Sequence, residues 1–176
     1  MSLTGLLNSQ PDSNITHENL PIPWFNEPNV AGQMIEQLLK REAAIIGDVG
    51  YYWLNQVNHL LEHVPQAKFI CLKRARQEVI ESTWAHSRGL NVHPTDPWYR
   101  MYPLYNTDRK TAIGLMWDDY CTISDKLQDK HPEHFKILDT DSLNTQVGVE
   151  TILDFAEVPK EEQVIQIGVR LNKRRQ

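Results

Sequence analysis

The chain has 176 residues, enough for one domain that buries about 70% of its unfolded surface and needs no disulfide or metal to hold it. A 40% apolar and 23% charged composition excludes wholesale disorder, and a net charge of −5 argues against a general nucleic-acid footprint. No apolar run approaches the ~20 residues of a membrane span. Cys71 and Cys121 lie in apolar segments outside any CxxC, and the first residues lack a basic-then-apolar leader, so buried thiols and a cytoplasmic location are expected.

Leu3, Leu6 and Leu7 have helical spacing before Pro11, so the first ten residues read as the end of a helix. Residues 11–29 hold Pro11, Pro21, Pro23 and Pro28 and read as a loop. Residues 30–41 form an amphipathic helix with Met34, Ile35, Leu38 and Leu39 on one face. Residues 43–46, followed by Gly47 and Asp48, make a short buried strand. Residues 51–64 are a helix with the stripe Leu54, Val57, Leu61 and Val64, closed by Pro65. Residues 68–72 are a second strand, residues 76–87 a helix, and residues 88–108 an irregular stretch carrying Trp98, Tyr99, Tyr102 and Tyr105. That stretch reads either as a lid over an acceptor site or as an aromatic cluster packed on the domain. A long helix follows over residues 111–130, then a strand over residues 135–139, a helix over residues 145–155 and a polar tail.

Strands alternating with helices predict an α/β domain of three layers over residues 1–176, with a mostly parallel sheet between helices. Ligands on such sheets bind beyond the strand C-termini. That places interest on Asp48, which between a strand and a helix reads as an N-cap, and on Arg74 with Ser82 eight positions later. An arginine at a strand end and a hydroxyl two turns into the next helix can grip one anion; apart, they are a solvated cation and an ordinary helix serine. Two basic clusters, Lys68, Lys73, Arg74 and Arg76, and the tail's Arg170, Lys173, Arg174 and Arg175, read as solvated patches or as cations meeting on one anion. His59, Glu62 and His63 spell HxxEH, the zinc-peptidase pattern, but Pro65 ends the helix at once and no further ligand follows. Two histidines near a helix C-terminus, with no metal, are the expectation there.

The segment from Phe69 through Arg74 to Ser82 and Trp84 resembles the 3′-phosphate motif of sulfotransferases, in which a strand ends in arginine and serine follows eight residues on. The approach through Val64, Pro65, Ala67 and Lys68, the segment from Ile46 through Asp48 to Tyr51, the strand 135–139 with Asp141 and Leu143, and the helix closing with Phe155 and Pro159 are similar to other parts of that family. The resemblance implies transfer of a sulfonate from 3′-phosphoadenosine 5′-phosphosulfate to a hydroxyl or amine of a small-molecule or carbohydrate acceptor. Arg74 and Ser82 would bind the 3′-phosphate, Lys173 and Arg174 would reach the nucleotide, and Asp48 would be the base. Three departures accompany it. Ala75-Arg76 stands where the family has Asp-Pro or Asn-Pro, and Val49 where related carbohydrate enzymes carry a basic residue. Residues 3–12 resemble the helix that follows the family's phosphate-binding loop, so that loop and its strand would precede Met1. The expectation is therefore a domain without the family's first strand and phosphate loop, prone to self-association through an exposed sheet edge. The alternative is a non-catalytic relative kept for binding or assembly.

Overall fold

The computed structural model of the chain describes residues 2–18, 28–87, 105 and 107–168. It is an α/β structure in which every strand pairing is parallel. In chain order the elements are α1 (Leu3–Asn8), β1 (Ser13–His17), α2 (Pro28–Leu39), β2 (Ile45–Val49), α3 (Val57–His63), β3 (Phe69–Lys73), α4 (Arg76–Ser87), α5 (Arg109–Lys130), β4 (Phe135–Asp139) and α6 (Gln146–Phe155). Short 3₁₀ helices at Tyr51–Gln56, Thr140–Asn144 and Lys160–Glu162 link them. No helix among the described residues is long and apolar enough to cross a membrane.

Three features differ from the sequence expectation. Ser13–His17, read as loop, is a strand. Only Ile15 in it is a buried apolar residue, so periodicity carries no signal. The strand exists through its partners. Asp12 accepts from the Ala44 and Ile45 amides and so starts the pairing with β2, in the register Ser13 to Ile45 and His17 to Val49. On the other edge the Asn8 side chain bonds both the N–H and the C=O of Ile15, which covers an edge that would otherwise be open. Asp12 and Glu18, both at positive φ, bound the strand.

The second difference is that the strands form two two-stranded sheets, β1–β2 and β3–β4, where one sheet was expected. A common core joins them. Leu3, Leu6 and Leu7 of α1 and Val149, Ile152 and Leu153 of α6 pack with Ile15, and against them lie Ile45 and Val49 of β2, Ile70 and Leu72 of β3 and Leu138 of β4. The alternate residues Phe69 and Cys71 face the other way, onto Leu54, Val57, Leu127 and Phe135. Helices thus cover β3–β4 on both faces, and the period-two alternation in Phe69–Lys73 decides which core each side chain joins. A third cluster holds α2 through Met34, Ile35 and Leu38 against Tyr52, Trp53 and Leu60.

The helix expected over residues 51–64 is split into a 3₁₀ turn and α3. Tyr52, Trp53 and Leu54 are all buried, which a single apolar stripe does not provide for.

Candidate functional site

β3 ends at Lys73 and α4 begins at Arg76, so Arg74 and Ala75 form the crossing at the strand C-terminus. Arg74 and Ser82 line one open depression of about 370 Å³, together with Glu78, Glu81 and Ala85. The two sequence-selected residues share a solvent-facing site. Its other polar members are acidic. Arg74 Nε donates to Glu78 Oε2 at 2.6 Å, an i,i+4 pair in which both side chains are about half exposed. An anion entering the depression therefore competes with Glu78 for the guanidinium and faces Glu81 as well.

The basic cluster does not converge. Lys68 pairs with Glu157 at 2.8 Å, Lys73 with Asp125 at 2.5 Å, Arg74 with Glu78, and Arg76 with Asp118 through a two-pronged fork at 2.8 Å per bond. Each of these cations meets a different carboxylate, and the tail cluster that the other reading brings to the same anion lies outside the described residues. The Arg76 fork holds the Asp118 carboxyl below the usual carboxylate range. Lys173 and Arg174, like Trp98, Tyr99 and Tyr102 of the aromatic stretch, lie outside the described residues.

Asp48 lies within β2, one residue before its end. Its carboxylate collects three side-chain donors. Thr16 Oγ1 of β1 donates to Oδ1, and Oδ2 accepts from the Tyr52 hydroxyl at 2.6 Å and the Trp53 indole N–H at 2.9 Å. Arg41 donates to Thr16 Oγ1 and to the Gly47 carbonyl and so braces the same corner. Asp48 is not the helix cap of the sequence alternative: the cap position of the following turn is Gly50, with no side-chain cap bond. What Asp48 does in the fold is tie β1, β2 and the 3₁₀ turn together.

Beside that corner Trp117 stacks on Tyr120 at 4.9 Å between ring centroids, and Tyr120 stacks on Tyr51 at 5.8 Å. The Tyr120 hydroxyl meets Cys71 Sγ at 3.0 Å, and burial pushes both groups' pKa values up. The Tyr105 hydroxyl bonds Asp119. Both cysteines are free thiols.

Sequence reasoning missed Glu78, although its i,i+4 spacing from Arg74 was a signal. It also missed the three donors on Asp48, for which spacing offers none, because Thr16 belongs to the unrecognised strand. Comparison of the chain with family models, with curated proteins and with solved structures found no match.

Proposed function

We propose that the chain is a sulfotransferase-type protein whose Arg74–Ser82 depression receives the 3′-phosphate of an adenosine nucleotide. The observation behind this reading is that an arginine at the C-terminal end of a parallel strand and a serine on the following helix line one open depression, where α/β folds bind ligands. On this reading the two strand pairs are halves of one parallel sheet in a three-layer domain, and the strand carrying the family's phosphate loop belongs between β2 and β3. The apolar residues Ile45, Ile46 and Val49 of β2 and Ile70 and Leu72 of β3 are only half-buried, as strands beside such a position would be. In the reaction the acceptor oxygen or nitrogen attacks the sulfur of 3′-phosphoadenosine 5′-phosphosulfate. The sulfur–oxygen bond to the 5′-phosphate breaks, the acceptor's proton passes to Asp48, and adenosine 3′,5′-bisphosphate leaves.

Glu78 makes the test specific. Calorimetry with adenosine 3′,5′-bisphosphate should show weak binding to the wild-type chain and none to Arg74→Ala, because a hydrogen bond to a charged group is worth about 1.5–3 kcal/mol and little else holds the ligand. Glu78→Gln should bind more tightly, since the guanidinium is released and one negative charge is removed. Equal affinity in wild type and Arg74→Ala would remove the assignment. Binding without turnover of labelled donor over a broad acceptor panel would favour the non-catalytic reading, in which the same depression serves as a nucleotide-binding module.

A further inference from the structure

His59, Glu62 and His63 form a second cluster, remote in the topology from the depression. α3 runs back from the C-terminal end of β2, and His63 is its last residue, close before β3 begins. The cluster therefore belongs to the N-terminal end of the strands, whereas Arg74 follows their C-terminal end. α3 ends at His63 and carries no more of the peptidase motif, but chelation needs only the ligands.

Four observations point to a cation. One donor atom from each of the three residues lies within 4.8 Å of the other two. His63 has its Nδ1 at 2.9 Å from the His59 carbonyl, so Nδ1 carries the proton and the Nε2 lone pair is left to bind outward. A backbone carbonyl on the far nitrogen is the usual orienting partner of a metal-binding imidazole. His59 has a buried nitrogen without a partner: its Nε2 is shut off from solvent with no hydrogen bond, while its Nδ1 stands 3.8 Å from Glu62 Oε2, beyond hydrogen-bond reach. Finally, the cluster occupies the C-terminal turn of a helix, where the partial negative charge of unpaired carbonyls favours a cation.

We propose that His59, Glu62 and His63 chelate a divalent transition cation of the zinc class at the end of α3. Two imidazoles and one carboxylate suit Zn²⁺ and its borderline neighbours and do not suit Ca²⁺ or Mg²⁺, which take oxygen ligands. Ligands of one tetrahedral zinc stand roughly 3.3 Å apart, given Zn–N distances of about 2.0–2.1 Å. Glu62 is exposed and closes the remaining separation by side-chain rotation, while His63 keeps its bond to the His59 carbonyl. Three protein ligands leave one position for water. Because the cluster is away from the depression, the cation braces the turn between α3 and β3 and takes no part in transfer.

The test uses Zn²⁺ alone, titrated into the full chain against a chromophoric chelator, with thermal melting as a second readout. One zinc per chain is expected, with a rise in melting temperature that follows zinc concentration. His63→Ala, at an exposed position where the fold tolerates change, should weaken binding at least tenfold and remove the thermal shift. His59→Gln should do the same, and Glu62→Gln should weaken binding less. His131→Gln, which alters a histidine bonded to Asn58 outside the cluster, should bind as wild type does. Wild-type zinc affinity in His63→Ala, or no stoichiometric zinc in the wild-type chain, overturns the proposal. Neither result bears on nucleotide binding at Arg74.

Discussion

Asp48 shows how one side chain carries a structural and a proposed chemical role together. Its carboxylate accepts from Thr16, Tyr52 and Trp53, and Tyr52 has no exposed surface. Losing even one bond to a charged acceptor costs roughly 1.5–3 kcal/mol. Asp48→Ala should therefore lower the urea midpoint by an amount corresponding to about 2 kcal/mol or more. An unchanged midpoint would mean that the three bonds add nothing net. The consequence for function is direct. Loss of transfer in Asp48→Ala does not assign a base unless the variant is shown to be folded at the assay temperature. Arg74 is the cleaner probe, because its ion pair with Glu78 is exposed and exposed pairs contribute about 0–1 kcal/mol.

Two glycines separate backbone from side-chain constraint at the level of elements. Gly148, in the first turn of α6, lies against the preceding 3₁₀ helix, and a Cβ there would run into the Ser142 carbonyl oxygen. Backbone cannot step aside, so Gly148→Ala should destabilise by several kcal/mol or displace α6 from the shared core. Gly114, in α5, faces the Arg76 guanidinium, and a Cβ there would stand 2.6 Å from its terminal nitrogen. That atom is the end of a half-exposed side chain, and Gly→Ala inside a helix gains up to about 1 kcal/mol. Gly114→Ala should therefore leave neutral-pH stability nearly unchanged while pushing Arg76 off Asp118. Paired melts of the two variants make the comparison; similar large losses in both would mean that α4 cannot shift on α5.

For the whole molecule, acid is the informative perturbant. Asp108 is held low by the Thr111 hydroxyl that donates to it, Asp118 by the Arg76 fork and Asp154 by Lys160. Each folded-state pKa lies below the unfolded value of about 3.9. Their stabilisation is thus fully present above that value and is lost as pH falls through the folded values. The urea midpoint should fall slightly below about pH 6.5, because burial and Lys130 hold the His131 pKa below its ordinary value, and then more steeply below about 4. Asp118→Asn should show a shallower acid limb, and Gly114→Ala should copy it. A midpoint that stays level into strong acid would contradict all three assignments. Because α1 and α6 serve both sheets through one core, tryptophan fluorescence and far-UV circular dichroism should report the same transition.

The helices and three of the four strands could be read along the chain because their signals are local. The stripe Met34, Ile35 and Leu38 in α2, the apolar run Phe69–Leu72 and the turn at Pro65 each depend on neighbours within a few positions. The spacing of Arg74 and Ser82 was equally legible, since one strand end and two helical turns fix where both point. β1 was not, because Ser13–His17 is polar and becomes a strand only through Asp12, Asn8 and the β2 ladder. Nor was the division into two sheets, which depends on which edges find a partner. Long-range pairing likewise decided the charges: Lys68, Lys73 and Arg76 each found a carboxylate on a distant element, so cations clustered in sequence are apportioned separately in space. Tertiary packing alone brought Thr16 to Asp48 across 32 residues and made that carboxylate a junction of β1, β2 and the turn that follows.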